Sequence, residues 1–160
     1  MNDGASPVLI AYDGSDPAKQ AISAAAELFA GRPAYVVTIW EPGLAYAMAD
    51  LEPTGPELSP IPMDIEGAQE LEDELQVHAR RTAAEGAELA RSAGLDCDAL
   101  VVADRVSVAE ALVEVAEKQS VAAIVVGSRG LTGLRARLEG STSSAVLKHA
   151  KCPVVVVHND

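Results

Sequence analysis

The sequence predicts an α/β fold: a doubly wound, five-stranded parallel sheet with helices on both faces. Three observations predict it. Short apolar runs alternate strictly with helical periodicities, and the crossovers of roughly 10 to 25 residues suit βαβ units rather than hairpins. The run from Val121 to Val126 is apolar throughout, as a strand buried on both faces must be. The length of 160 residues, with 49% hydrophobic and only 3% aromatic residues, supports one core of Ala, Val, Leu and Ile. A single domain over residues 1–160 with no internal repeat is therefore expected.

The elements follow in order. Val8 to Tyr12 reads as the first strand. Ser15-Asp16 then offers a helix cap, with Pro17 at the first helical position. Ala18, Ala21, Ile22, Ala25, Leu28 and Phe29 mark one apolar face of a helix that ends before Gly31. Tyr35 to Trp40 is a second strand. Leu71, Leu75, His78, Thr82, Gly86 and Leu89 step by three and four through a long helix stopping at Gly94. Asp98 to Ala103 forms a third strand, and Val108, Ala111, Leu112, Val115 and Ala116 trace the next helix. Val121 to Val126, a helix from Ser141 to Ala150, and Val154 to Val157 complete the chain. Glu41 to Asp64 resists assignment: it holds Pro42, Pro53, Pro56, Pro60 and Pro62 of the 9 prolines and reads as a surface loop or a lid.

Composition excludes several functions. A formal net charge of −12 and few aromatics argue against nucleic-acid binding. The chain shows no leading apolar segment with a basic flank, and no apolar run approaches the roughly 20 residues of a membrane span. A cytoplasmic protein without a membrane partner is expected. Cys97 and Cys152 lack metal-ligand spacing and read as buried thiols.

The segment that carries chemistry runs from Val121 to Ser144. Its apolar strand ends at Gly127, a loop follows with Gly130, Gly133 and Gly140, and Ser141-Thr142-Ser143-Ser144 opens a helix. Strand, glycine-rich loop and hydroxyl-rich helix start make a phosphate cradle. Glycines let backbone N–H groups approach an anion, and the first N–H groups of a helix have no internal partner. A glycine loop alone can be only a turn, and Ser141 only a cap. However, this loop is longer than the usual connection of about two to six residues. Arg129, Arg135, Arg137 and Lys148 also face only Glu139 in this stretch of an acidic chain. No GxxxxGK[ST] occurs, because Thr132 and Arg135 stand where the second glycine would follow Gly127 and Gly130. Arg129 occupies the middle-glycine position of a GxGxxG, so the dinucleotide fingerprint is absent too.

What stands instead is Gly127-x2-Gly130-x9-Gly140-Ser141, a short helix, and the strand Cys152-Pro153-Val154-Val155-Val156-Val157. This arrangement, with Val8-Leu9-Ile10-Ala11-Tyr12, the Asp13-Gly14-Ser15 turn and Val36-Val37-Thr38-Ile39-Trp40-Glu41-Pro42, resembles the ATP-binding branch of the universal stress protein family. The resemblance covers nearly the whole chain. Thr38 stands where the family often has His, and the segment after Pro42 is longer than usual. A sheet order of 3-2-1-4-5 makes the first and fourth strands neighbours at the switch point, where ligands collect outside the carboxyl ends. Asp13 and Gly127 both line that crevice. Asp13 would receive a ribose hydroxyl or help hold Mg²⁺ or Mn²⁺ bridging phosphate oxygens; equally, its carboxylate would serve an Asx turn or helix cap ahead of Pro17. The resemblance implies Tyr12 and Asp13 near the nucleoside, Ile39 beside adenine, and Gly127, Arg129, Gly130, Gly140, Ser141 and Thr142 around ribose and phosphates.

Catalysis is not indicated. His78, His149 and His158 have no carboxylate partner placed near the crevice by sequence, and Ser15, Ser141 and Ser143 have no evident general base. Asp13-Gly14-Ser15-Asp16 lacks the double glycine of the SGGxDS loop of ATP pyrophosphatases. The expectation is an ATP-binding regulatory module of the stress response that is read by a protein partner. A slow ATPase or autophosphorylating enzyme, and a nucleotide-free stress dimer, are the alternatives. Val154 to Val157 would lie at the sheet edge, apolar at every position without an internal Lys, Pro or bulge, and predicts a homodimer across a two-fold axis.

Overall fold

The computed structural model describes residues 5–49, 64–128 and 142–158. Their order is β1 (Val8–Ala11), α1 (Asp16–Leu28), β2 (Pro33–Trp40), α2 (Leu44–Ala49), α3 (Ile65–Ser92), β3 (Asp96–Ala103), α4 (Val108–Lys118), β4 (Ala123–Gly127), α5 (Thr142–His149) and β5 (Val154–Val157). The sheet runs β3-β2-β1-β4-β5 and every adjacent pair is parallel, as the alternation requires. Strand order and class agree with expectation.

Two apolar layers sandwich the sheet. Val8, Ile10 and Tyr12 of β1 and its extension face Ala18, Ala21, Ile22 and Ala25 of α1 and Ala87 and Ala90 of α3. Leu9 and Ala11 face the opposite way, against Leu112 and Val115 of α4 and Val146 of α5. Strand alternation sends successive side chains into different layers, so β1, central in the sheet, is buried at all four positions. Complete burial of a residue such as Leu112 contributes about 1.5–3 kcal/mol.

Helix starts are fixed by side-chain oxygens. Ser15 Oγ accepts from Ala18 N at 3.3 Å, Asp64 Oδ1 from Gly67 N at 2.8 Å, and Ser107 Oγ from Glu110 N at 3.2 Å. Each cap satisfies a donor the helix cannot, worth about 1 kcal/mol. Asp16 is the first helical residue of α1, so Pro17 stands second rather than first.

Several expectations are corrected. The segment after Pro42 contains a helix, α2, and α3 begins at Ile65, directly after the unassigned segment. The buried stripe of α3 is Ala68, Ala79, Thr82, Ala83, Gly86, Ala87 and Ala90; Thr82 and Gly86 lie on it as expected, whereas His78 and Leu89 are exposed, each one position off it. Leu28 is likewise exposed at the end of α1. Thr82 packs beside the β1–α1 turn, its methyl carbon 3.9 Å from where a Cβ on Gly14 would stand. Residues 65–81 of α3 precede this point and make a helical stretch of about 25 Å at 1.5 Å per residue. No helix among the described residues is long and apolar enough to cross a membrane. Cys97 is buried and Cys152 half-buried, and both are free thiols.

Candidate functional site

Parallel strands put every strand-to-helix turn with the same polarity on one edge of the sheet, and the switch point lies between β1 and β4. The registers Ile10↔Val125 and Ala11↔Val37, carried two residues further, bring Tyr12 level with Gly127 and Asp13 level with Ile39. The β1–α1 turn is tied down on every side. Asp13 Oδ1 accepts from Ser15 N at 3.0 Å, an Asx turn, and Gly14 adopts a φ of +84° that an L side chain rarely takes. The turn reading of Asp13 is thus correct for one oxygen. Oδ2 makes no hydrogen bond within the described residues, so the carboxylate keeps acceptor capacity for a ribose hydroxyl or a cation.

Tyr12 is a framework residue. Its amide donates to Val37 O at 2.9 Å, its carbonyl accepts from Thr38 Oγ1 at 2.8 Å, and its ring is 1% exposed. The phenol donates to Glu85 Oε1 at 3.2 Å. Burial, then the Glu85 carboxylate, pushes its pKa up to about 12. Its side chain turns away from the crevice into the α1/α3 layer. Thr38 sits where the sequence comparison led one to expect His, and its buried hydroxyl locks β2 to β1.

Gly127 has a structural reason to be glycine. A Cβ there would stand 2.9 Å from the backbone carbonyl carbon and oxygen of Pro17, so α1 packs its first turn directly on the end of β4. Ser128 N then donates to Val157 O at 2.8 Å, guiding the chain out between β4 and β5. Ile39 is half-buried in the α4/α5 layer, on the side from which Thr142 starts α5. Arg129, Gly130, Gly140 and Ser141, with Arg135 and Arg137, lie outside the described residues. Asp13, Ile39, Gly127 and Thr142 thus converge on one edge, and Tyr12 supports them from below.

Two features of this edge were missed by sequence reasoning. The first half of α3 and the short α2 form a wall beside β2, with Ala45 and Ala68 buried where they meet. Glu72 Oε1 accepts from Gly43 N, where φ is +82°, and clasps the entry of α2 to α3. Asp104, immediately after β3, is 7% exposed and its amide donates to Trp40 O at 2.8 Å. A carboxylate directly after an apolar strand was the available signal. Among the described residues no group of three or more His, Cys, Asp or Glu could hold a metal ion. A bridging cation at this edge would rely on a single carboxylate and on ligand phosphates.

The family model described as the universal stress protein family matches residues 5–158. The chain is 27% identical over 161 residues to universal stress protein YxiE of Bacillus subtilis, covering 94% of this chain and 97% of that protein. It is 49% identical over 49 residues to universal stress protein MJ0531 of Methanocaldococcus jannaschii, a match confined to 31% of this chain and 29% of the relative. Among solved structures it resembles a universal stress protein in complex with cAMP (TM-score 0.63, 23% identity, 98% of each chain). It also resembles the universal stress protein of Archaeoglobus fulgidus in complex with dAMP (TM-score 0.62, 23% identity, 94% of this chain and 95% of that one). A third is the Arabidopsis thaliana family member with AMP bound (TM-score 0.63, 15% identity, 97% and 92%). At these identities the structures establish the shared fold. The family match spans every element from β1 to β5: this chain belongs to the universal stress protein family.

Proposed function

We propose that the chain binds ATP in the β1/β4 crevice and works as a dimeric regulatory module rather than as an efficient enzyme. The observation that carries this reading is the Gly127-x2-Gly130-x9-Gly140-Ser141 spacing, leaving the strand that ends level with Tyr12 and Asp13. Structural neighbours in complex with cAMP, dAMP and AMP support an adenine nucleotide as the ligand. Ile39 would lie against adenine and Asp13 would take a ribose hydroxyl or a Mg²⁺ or Mn²⁺ ion. Gly130, Gly140, Ser141 and Thr142 would present N–H and hydroxyl donors to the phosphates. Arg129, beside Gly130, would add the charge. The cation, when bound, spreads the charge of the triphosphate over its oxygens.

Calorimetry with ATP and Mg²⁺ tests the reading. Gly130→Val and Gly140→Val should lose binding and keep the fold, because a side chain blocks backbone approach. Arg129→Ala should weaken binding more than Arg137→Ala. Equal binding by wild type and both glycine variants overturns it. A phosphate-release assay with an Asp13→Ala control separates the binding module from a slow ATPase.

Dimerisation is supported by β5. Val154 and Val156 pack into the α4/α5 layer and Val155 and Val157 into the α1/α3 layer, yet all four are only half-buried. Among the described residues β5 pairs only with β4, leaving a bare apolar edge that a second β5 would cover. Sedimentation as a monomer at micromolar concentration, with and without ATP, overturns this part.

A further inference from the structure

Three helical cations of this chain take a carboxylate one turn away. Lys19 pairs with Asp16, Arg91 with Glu88 and Lys118 with Glu114, at spacings of three or four residues. The middle of α3 departs from this. Asp73, Glu74, Arg80 and Arg81 are exposed, and none forms an ion pair among the described residues. Their spacing is the reason. Asp73 to Arg80 and Glu74 to Arg81 each span two turns, about 10 Å along the axis, too far for pairing within one helix. Glu85, the carboxylate one turn from Arg81, accepts from the Tyr12 phenol instead. Between the anions and the cations stands Val77, an apolar residue 54% exposed.

These five residues share one face. At about 100° per residue, Asp73 and Arg80 flank Val77 on one side, about 40° and 60° from it. Glu74 and Arg81 flank it on the other side, about 60° and 40° away. The buried stripe runs along the opposite side of the helix, so this face points away from the sheet. Its charges balance, and a balanced face favours neither an acidic nor a basic partner. It favours a surface carrying the same charges in reverse order. An antiparallel copy of the same helix is such a surface. With a two-fold axis beside Val77, Asp73 comes level, within one residue's rise, with Arg80 of the second copy on one flank. On the other flank Glu74 meets Arg81 of the second copy in the same way. The two valines touch at the centre, and symmetry doubles each ion pair.

We propose that the outer face of α3 is a self-recognition surface, on which two copies of the chain pair their α3 helices antiparallel about Val77. Exposed ion pairs are individually weak, so the array fixes orientation and register while the valines contribute apolar burial. A helix pair of this length is a small interface, so the contact is transient and depends on concentration. The formal charge of −12 opposes association at long range. At physiological ionic strength, however, charges beyond about 8 Å are largely screened, and those in contact decide. The face is separate from the β5 edge and from the β1/β4 crevice, and the inference rests neither on association through β5 nor on nucleotide binding.

Disulfide cross-linking reads this face alone. Under mild oxidation Val77→Cys should link two copies about tenfold faster than Ala84→Cys, which lies on the same face but about 21 Å from its counterpart in this register. Both rates are corrected for the wild type, which carries Cys97 and Cys152 as free thiols. Two sign reversals follow in the Val77→Cys chain, Arg80→Glu with Arg81→Glu, and Asp73→Lys with Glu74→Lys. Each should slow linking by about tenfold, because four pairs change together. The lysine variant lowers the chain's net negative charge, so its slowing cannot come from overall repulsion. An equimolar mixture of the two reversed chains should link at the original rate, since each then meets the opposite charge, and this recovery shows that both are folded. The inference is overturned if Val77→Cys links no faster than Ala84→Cys, if either reversed chain links as fast as the unreversed one, or if the mixture stays as slow as its components.

Discussion

The two faces of the sheet are packed by opposite rules. On the α1/α3 face the helices present mainly small residues, Ala18, Ala21 and Ala25 around Ile22 from one and Ala83, Gly86, Ala87 and Ala90 from the other. They approach the strands so closely that backbone and ring atoms do the filling: the Tyr12 ring lies under Gly86, and Pro17 lies on Gly127. On the α4/α5 face the same sheet meets branched side chains, Leu112, Val115 and Val146. One face is saturated, so it should reject added atoms. The other depends on side-chain volume, so it should suffer from removed ones. The saturated face is also the one that holds the β1–α1 turn in place, which links tight packing to the geometry of the candidate site.

The largest effect should come from truncation on the volume-filled face. Leu112→Ala should lower stability by about 3 kcal/mol in urea denaturation, and a loss below about 1 kcal/mol would show that this face collapses to fill holes. Gly127→Ala comes next, at about 2 kcal/mol, because its Cβ meets the Pro17 backbone, which cannot rotate away. It should also displace the start of α1, so ATP affinity measured by calorimetry should fall with it.

Gly86→Ala is the sharper test. Its Cβ would stand 2.5 Å from Tyr12 Cδ1, an overlap that should outweigh the roughly 1 kcal/mol gained in helix propensity and leave a net loss of about 1–2 kcal/mol. In a Tyr12→Ala background the same substitution should cost less, the remaining obstacle being Val36 Cγ1 at 2.8 Å. If it destabilises both backgrounds equally, the ring is not what demands glycine.

The smallest effect is in pH. Tyr12 has its pKa raised from 10.0 to about 12, so its contribution is complete below pH 10, where both states are protonated. It is lost between pH 10 and 12, where the unfolded chain ionises first. After allowing for solvent screening at the Glu85 end, about 1 kcal/mol should disappear across this window. Cys97, raised by burial from 9.0 to about 11, acts in an overlapping window and is retained by Tyr12→Phe. The difference between the urea midpoints of wild type and Tyr12→Phe therefore isolates the phenol; a constant difference from pH 9 to 12 would contradict the assignment.

Much of this was legible in the sequence because it depends on local pattern. Val8 to Ala11 and Val121 to Val126 can only be strands buried among others, Val154 to Val157 is an apolar strand beside them, and helices of crossover length between them force a parallel sheet. What stayed hidden depends on contacts distant in sequence. The six residues of α2 are too few to stand alone, and what holds them, Ala45 against α3 and Glu72 on Gly43, comes from beyond a proline-rich stretch. On α3 the expected Thr82 and Gly86 lie on the buried stripe, but His78 and Leu89 do not, because the rest of that stripe is alanine, which hydrophobic periodicity underweights. At the site, Asp13 was legible from its place after a strand. Tyr12, implied near the nucleoside by the resemblance, points its ring inward because strand alternation continues one residue past β1, which leaves its backbone at the edge.

Trp40 is the only tryptophan in the chain, and it closes β2 at the carboxyl edge, one residue beyond Ile39 and bonded through its carbonyl to the amide of Asp104. This makes the molecule its own optical reporter. With a single indole, excited at wavelengths that the 3 tyrosines do not absorb, a ligand seating at that edge is read as one change in emission, without a dye or an engineered label. The same signal gives arrival and departure rates in a stopped-flow mixer, and Trp40→Phe supplies the dark control.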